Sequence, residues 1–292
     1  MIETFEALRP RLFGIAYRML GSASEAEDIV QEAFLRFQAA ERTSIRSEEA
    51  FLRTIVIRLC LDQLKSAQAR RETYPGPWLP EPILTEESSG LGDPAEQASR
   101  YDSLSMAFLL LLESLSPEER AVFLLRAVFD YEYAEIASML DKSEATCRQL
   151  FSRAKKHIVE HRPRFEASPE EHRQIVARFV SAAQDGDLEG LMALLAEGVT
   201  THADGGGKRR AAMRPVRGRE VVARFILRGL ELSLKHGETF ERAVINGREG
   251  FILRDGEHQV TEVLAFEIVD GLIQNLYIVL NPDKLTHVQV KD

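Results

Sequence analysis

The first 71 residues carry apolar side chains at the spacing of amphipathic helices. Two apolar stripes stand out, one near residue 30 and one near residue 55. Their members are Ile29, Val30, Ala33, Phe34 and Phe37, and then Phe51, Leu52, Ile55, Val56, Leu59 and Leu64. The pattern therefore predicts an all-helical domain over residues 1–71.

Residues 72–100 interrupt this pattern and predict a linker. Prolines and glycines recur there, and such a segment cannot sustain a helix. The run W-L-P-E-P at 78–82 holds Trp78, which is the only tryptophan of the chain. A large aromatic side chain is unusual in a solvated linker, so we expect Trp78 and Leu79 to dock on another surface. The alternative is an aromatic side chain that is exposed by chance.

Residues 101–162 are predicted to be helical again, with a helix start at Ser116-Pro117. Residues 133–156 predict two short helices joined by a tight turn, with Ser143 capping the second. The apolar positions are Ile136, Ala137 and Leu140 on the first helix, and Cys147, Leu150, Phe151 and Ala154 on the second. This pattern is typical of a helix-turn-helix whose second helix enters the DNA major groove. The alternative is an ordinary helical hairpin with a solvated basic face.

Residues 168–292 change character and predict an α+β domain. Helices are expected over 168–184, 187–196 and 219–235. Strands are expected over 199–203, 242–246, 250–254, 260–269 and 272–280, with Asp270-Gly271 as a hairpin turn. We expect a curved antiparallel sheet, and a glycine loop at 204–208 follows its first strand.

The distribution of charge favours the DNA interpretation more than the total does. The chain of 292 residues has a net charge of −9, which argues against general attraction to nucleic acid. Residues 72–100 hold one Lys or Arg against six acids, whereas residues 141–164 hold seven against three. Positive charge is thus concentrated on the second helix of the helix-turn-helix. Cys60 and Cys147 both lie on apolar helical faces, which indicates buried thiols in a reducing interior.

The N-terminus lacks the apolar core of a signal peptide, and the longest apolar run, at 106–112, is too short for a bilayer. We therefore expect a cytosolic protein without membrane partners.

Three stretches carry a resemblance to a known family. E-D-I-V-Q-E-A-F-L at 27–35 resembles the clamp-binding helix of bacterial sigma factors. S-P-E-E-R at 116–120 and the helix-turn-helix resemble sigma region four, and together they resemble an extracytoplasmic-function sigma factor. The tail resembles a SnoaL-like domain, a cone-shaped α+β fold that ketosteroid isomerases also use. W-L-P-E-P, D-G-G-G-K at 204–208 and N-P-D-K-L at 281–285 are similar to signatures of the sigma-J-like group, which fuses these parts.

The resemblance implies a multidomain transcription initiation factor. Its parts are a region 2 domain (1–71), a linker (72–100), a region 4 helix-turn-helix domain (101–162) and the SnoaL-like domain (168–292). Core RNA polymerase and promoter DNA are the implied partners, with no cofactor and no metal. The residues implied to face polymerase are Asp28, Gln31, Glu32 and Leu35. Residues 38–48 with Arg53, Arg58 and Lys65 are implied to engage the −10 element. The implied −35 contacts are Arg148, Gln149, Ser152, Arg153, Lys155 and Lys156.

This sequence departs from the family pattern at three positions. Phe51 and Arg58 stand where many members have Trp and Asn, and Asp141 replaces the usual turn glycine. Asp tolerates the left-handed conformation better than most residues, so we expect the turn to persist.

The three signature runs are expected to form a regulatory contact between the linker and the tail, in which Lys208 and Lys284 meet Glu81. The residues are Trp78, Leu79, Pro80, Glu81, Pro82, Asp204, Gly205, Gly206, Gly207, Lys208, Asn281, Pro282, Asp283, Lys284 and Leu285. Two other interpretations stay open. The tail could be an enzyme, with His202, Asp204 and Glu262 as acid/base candidates, or a sensor with a cavity for a small apolar ligand. We expect no catalytic activity, because these candidates form no convincing acid/base pair.

Overall fold

The chain folds as two units, and each unit is assembled from two separate stretches of sequence. The first combines residues 1–73 with 109–162, and the second combines 74–108 with 163–292. The computed structural model describes residues 2–41, 45, 47–85, 103–161 and 167–289. Residues 86–100 of the predicted linker, and residues 42–44 and 46 of the predicted −10 segment, lie outside the described residues.

Three helices, α1 (Ile2–Leu20), α2 (Ala23–Ala39) and α3 (Glu48–Glu72), form the N-terminal part of the first unit. The Ser22 hydroxyl caps α2 by accepting a hydrogen bond from the Glu25 amide at 3.1 Å. Ile29, Val30, Ala33 and Phe37 are buried as the first stripe predicts. On α3 the buried face also includes Ile57 and Cys60. The second stripe is therefore shifted from its prediction, because α3 packs on both the N-terminal helices and a later helix.

Four helices continue the chain, namely α4 (Met106–Glu113), α5 (Pro117–Ala127), α6 (Tyr133–Leu140) and α7 (Glu144–His161). Ser116 forms the predicted cap of α5, and its hydroxyl accepts a hydrogen bond from the Glu119 amide at 3.3 Å. Ser143 likewise accepts from the Thr146 amide at 3.1 Å at the start of α7. Asp141 adopts the left-handed conformation, with φ 54° and ψ 50°, so the tight turn forms without glycine.

The second unit contains α8 (Pro169–Gln184), α9 (Leu188–Leu194), α10 (Arg219–Lys235) and a six-stranded sheet. The strands are β1 (Leu195–Asp204), β2 (Val216–Arg217), β3 (Thr239–Ile245), β4 (Arg248–Arg254), β5 (Val260–Val269) and β6 (Leu272–Val279). Their order is β2-β1-β6-β5-β4-β3. Short 3₁₀ turns at Pro282–Lys284 and Thr286–Val288 follow β6. The predicted succession of helical domains and an α+β domain is confirmed.

The structure differs from the predicted sheet and from the helix that precedes it. β1 pairs with β6 in parallel, so the sheet is mixed and not wholly antiparallel. The chain reaches β6 only after α10 and three antiparallel strands, and it returns beside β1 in the same direction. The helix predicted over 187–196 ends at Leu194, because Leu195 already begins β1.

The core of the second unit lies between α8 and the inner face of the sheet. Val176 and Phe179 of α8 are buried there, and the Phe179 ring lies 5.1 Å from the ring of Phe266 on β5. An edge-to-face pair of this kind adds to the stabilisation from apolar burial. Of the helices described in either unit, none has the length and apolar content that a bilayer-crossing segment needs.

Candidate nucleic-acid interface and linker anchor

Helix α7 separates its apolar and basic residues cleanly. One face is buried inside the first unit and carries Cys147, Leu150, Ala154 and Ile158. The predicted −35 residues are all exposed on the other face: Arg148, Gln149, Ser152, Arg153, Lys155 and Lys156. Burial of one stripe thus fixes the orientation of the basic face, which is the arrangement that a recognition helix requires.

Two contacts hold the Arg148 side chain in place on this face. Its guanidinium donates to Glu144 at 2.7 Å and lies 4.5 Å from the centre of the Tyr133 ring. A planar guanidinium held in this way can donate two hydrogen bonds to guanine. Arg153 pairs with Glu119 at 3.3 Å, and Lys156 lies 3.9 Å from Glu160. These exposed pairs are weak, so phosphates can compete for both cations.

The outward face of α2 is a candidate protein interface. Asp28, Gln31 and Leu35 are exposed, and Glu32 is half-buried with an ion pair to Arg36 at 2.7 Å. The Leu35 side chain is 52% exposed although it is large and apolar. An exposed leucine beside carboxylates on one helical face fits an interaction surface.

The predicted −10 residues differ in environment. Lys65 is exposed, and Arg58 is exposed while its Nε donates to the Met139 carbonyl on α6 at 3.1 Å. Arg53 is buried, which departs from the expected outward position. Its guanidinium stacks 4.5 Å over the Tyr131 ring and lies 3.7 Å from Glu135. Two of the three cations thus contact the segment that includes α6.

Arg120 is a structural residue that the sequence did not distinguish. It is 3% exposed, and its Nη1 donates to the Met19 carbonyl and to Glu113, both at 2.7 Å. It therefore ties α5 to the end of α1. An arginine inside an otherwise apolar helix stripe was the only available signal.

Asp204 forms the centre of a linker anchor in the second unit. The residue is fully buried, and its carboxylate accepts from Tyr74 Oη at 2.6 Å, the Leu79 amide at 2.9 Å and Lys284 Nζ at 2.7 Å. The Gly206 amide donates a further bond at 3.0 Å. Burial, followed by the bond to Asp204, raises the pKa of Tyr74 and keeps its hydroxyl protonated. The carboxylate has a full set of donors, and three of them come from the linker or the C-terminal turn.

Lys284 joins the same anchor from the 3₁₀ turn. Its ammonium donates to the Leu79 carbonyl at 2.6 Å and lies 4.3 Å from the centre of the Trp78 ring. Leu79 is 1% exposed, so docking buries this side chain almost completely. Glu81 is buried too, whereas Lys208 forms its ion pair with Asp283 at 2.7 Å. The structure thus brings the three signature runs together.

The glycine loop permits this close approach. Gly206 has φ +58°, and a Cβ there would lie 2.3 Å from Asn281 Nδ2. Gly207 has φ +72°, and its Cβ would meet Pro75 Cγ at 3.0 Å. A side chain at either position would strain the backbone, and it would displace Asn281 at the first position and the linker at the second.

Asn246 anchors the linker at a second point, which the sequence analysis missed. Its Oδ1 accepts from the Ile83 amide at 3.1 Å, and its Nδ2 donates to the Leu104 carbonyl at 2.9 Å. Its backbone amide donates to the Ile83 carbonyl at 2.9 Å. One side chain therefore holds both ends of the segment 84–103.

The three acid/base candidates are not brought together. Asp204 is occupied by the linker anchor. His202 stacks on Tyr277 with 5.7 Å between ring centres, and burial lowers its pKa. Its neighbour Ala203 lines the cavity of the domain, so His202 points to the opposite side of β1. Glu262 lines the cavity without either of the other two candidates.

Two family models match separate parts of this chain. The family model "Sigma-70 region 2" matches residues 4–70, and "Sigma-70, region 4" matches residues 105–158. Both predicted interfaces of α2 and α7 lie inside these matched regions. The match of region 4 begins at the end of the linker.

Full-length relatives extend the similarity through the C-terminal domain. The ECF RNA polymerase sigma factor SigJ of Mycobacterium tuberculosis is 38% identical, with 100% of this chain and 95% of SigJ covered. A probable ECF sigma factor, SigI of the same species, is 33% identical over 96% of this chain and 93% of its own length. The crystal structure of SigJ superposes with a TM-score of 0.76 at 36% identity, covering 98% and 99% of the two chains. With both sigma regions matched and a relative that aligns from end to end, the chain belongs to the extracytoplasmic-function sigma factors, the transcription initiation factors that direct RNA polymerase to promoters.

Proposed function

We propose that the C-terminal domain regulates this sigma factor in cis by shortening the linker between regions 2 and 4. The observation that carries the proposal is the anchoring of residues 74–85 on the domain through Asp204, Lys284 and Asn246. Regulation would act on the distance between two DNA-binding surfaces and needs no chemical reaction.

The shortening has a definite size. Thirty-three residues separate Glu72, at the end of α3, from Met106, at the start of α4. The Asn246 side chain bonds the backbones of both Ile83 and Leu104. The 20 residues 84–103 between them therefore add nothing to the distance that the linker can cover between regions 2 and 4. An extended chain spans at most about 3.3–3.6 Å per residue, so anchoring removes roughly 66–72 Å of reach.

Reach matters because the promoter fixes the separation of the −10 and −35 elements. Two weak contacts on one body bind strongly only when the tether allows both at once. An anchored linker would admit a narrow range of spacer lengths, and a released linker would admit a wider range.

The two DNA contacts and the polymerase contact have separate support. The exposed α7 residues around Arg148 are proposed to bind the −35 duplex, and the α2 face with Leu35 to bind core polymerase, which implies action in the cytoplasm. Arg53 and Arg58 are proposed to serve the −10 element once they leave their partners on α6 and the preceding loop. Arg58 would give up its hydrogen bond to the Met139 carbonyl, whereas Arg53 would give up its contacts with the Tyr131 ring and Glu135.

Catalysis forms no part of the proposed function. Asp204 is engaged by the linker and Lys284, and His202 and Glu262 lie apart, so these three candidates do not form an acid/base pair.

Run-off transcription with core polymerase tests the regulatory proposal. Promoters with spacers lengthened and shortened by one to three base pairs would be transcribed by the wild type and by Asn246→Ala. We expect the variant to accept a wider range of spacers than the wild type. The matched control is Asn275→Ala, which loses a side-chain bond to Glu267 in the same sheet and leaves the linker untouched. Equal spacer ranges for all three proteins would refute the proposal.

A further inference from the structure

A cavity of about 890 Å³ opens inside the second unit, apart from the linker anchor. It lies between the sheet and helices α8 and α10, with Phe179, Phe225, Phe251 and Ile278 among its walls. Cavities of this size and character hold drug-sized molecules. None of the residues assigned above to polymerase, promoter or linker contacts is among its lining residues.

One acidic side chain interrupts the apolar wall. Glu262 lies on β5, and side chains at alternate positions of a strand share a face. Leu264 and Phe266, the next residues on that face, belong to the apolar core. Glu262 therefore points to the inside of the domain. Its side chain is partly buried. Within the part of the chain that the structure describes, no hydrogen bond or ion pair engages its carboxylate, so water or a bound ligand must supply its hydrogen bonds.

The charges around Glu262 indicate which kind of ligand group would bind beside it. Burial raises the pKa of Glu262 to about 7, and the nearby Glu238 carboxylate raises it further than Arg209 lowers it. Arg209 itself lies 3.8 Å from Glu238. Charged side chains of both signs line the rest of the cavity, including Arg210, Arg228 and Asp255. Those that act on Glu262 are Glu238 and Arg209, so two carboxylates lie beside one guanidinium at this point of the wall, which favours a cation there.

We propose that the cavity binds a small, mainly apolar molecule with one protonated amine, whose ammonium pairs with Glu262. The apolar part would lie between α8, α10 and the sheet, where it replaces water against aromatic side chains. The ammonium would give the Glu262 carboxylate the hydrogen bonds that it lacks. This inference goes beyond the control of linker length, and binding can be measured without transcription.

Three probes with one chain and different head groups test the proposal. Decylamine, 1-decanol and decanoate would be titrated into the full-length protein by calorimetry, below the concentrations at which they form micelles. A charge-assisted hydrogen bond predicts that decylamine binds about tenfold or more tightly than decanol, with decanoate weakest. Glu262→Gln should remove the preference for the amine and keep the binding of decanol. The matched control Glu257→Gln changes an exposed carboxylate between β4 and β5 and should change nothing.

A second variant locates the binding. Gly229 lines the cavity on α10, and a Cβ there would have no atom within 4 Å. Gly229→Leu should therefore fill the space and weaken the binding of all three probes together. The proposal is overturned if no probe binds, if the amine and the alcohol bind equally, or if Glu262→Gln keeps the amine preference. Undiminished binding by Gly229→Leu would overturn it too.

Discussion

Replacing Lys284 by Met should release the linker from the C-terminal domain. The Lys284 side chain is 8% exposed, and its ammonium donates to the Leu79 carbonyl and to Asp204 at 2.6 and 2.7 Å. Methionine fills a similar volume but leaves the buried Asp204 carboxylate without its cation. Removing one partner of a buried ion pair costs about 3–5 kcal/mol. If the free energy of linker docking decreases by this whole amount, the ratio of docked to free linker decreases by about two to four orders of magnitude.

Trp78 reports the result directly because it is the only tryptophan. In the wild type the Trp78 ring is partly buried and lies 4.3 Å from the Lys284 ammonium. Because burial removes part of the ring from water, its emission should lie to the blue of that of the unfolded protein and be partly protected from acrylamide. In Lys284→Met the emission should move to the red and become as accessible to acrylamide as in urea-unfolded protein. A cooperative urea unfolding transition, measured by circular dichroism, would show that the C-terminal domain of the variant is still folded before urea is added.

The matched control is Lys208→Met. Lys208 also pairs with an acid near the anchor, Asp283, but the two side chains are 55% and 61% exposed. An exposed pair contributes at most about 1 kcal/mol, so Trp78 should stay protected. If the two lysine variants give the same quenching, the buried ion pair does not hold the linker and the reasoning fails.

Three further predictions concern the other surfaces. Asp28→Lys with Glu32→Lys should abolish co-purification with core polymerase while the circular dichroism spectrum stays unchanged; retained binding would exclude this face of α2. Arg148→Ala should weaken promoter binding by about 1–3 kcal/mol in free energy and relax specificity at one promoter position. Lys155→Ala should weaken binding to all promoters alike and reduce the slope of log affinity against log salt concentration by about one. Identical binding profiles of the two variants across a promoter library would refute the distinction. Burial raises the pKa of Glu262 in the folded protein to about 7. The folded state therefore resists losing this proton, and the unfolding free energy falls as the pH rises from the ordinary glutamate pKa through about 7. Glu262→Gln should therefore raise the unfolding free energy of the C-terminal domain at pH 8 but not at pH 4.5, and an equal gain at both values would contradict this reasoning.

Local signals in the sequence predicted the elements well. Helix α10 and strand β5 have the predicted bounds, since each combines a clear period with a recognisable start. The Asp270-Gly271 turn forms with φ values of 52° and 73°, as a two-residue hairpin requires. Such features depend on neighbours along the chain, and those are visible in the sequence.

Features that depend on distant partners were less accessible. Arg53 lies off its helix stripe and was expected to face solvent, but the Tyr131 ring and Glu135 cover it. Asn246 and Gly247 form the turn between β3 and β4, with φ values of 52° and 78°. The sequence pattern instead placed Asn246 at the end of the strand predicted over 242–246. Its side-chain bonds to Ile83 and Leu104 could not be predicted without knowing where the linker runs. The parallel pairing of β1 with β6 was inaccessible for the same reason.

The order of synthesis gives the linker anchor another consequence. Leu79 and Lys284 lie 205 residues apart, and the whole of region 4 is translated between them. The last residue of the first unit is 162, and the anchor is complete only near Leu285. At about 5–20 residues per second, the ribosome needs roughly 6–25 s for the intervening 123 residues. During this interval the nascent chain carries both promoter-binding regions with an unanchored linker. Each molecule is therefore made in its unrestrained form first, and a chain that ends before Asn281 lacks the contacts of Lys284 with Leu79 and Asp204.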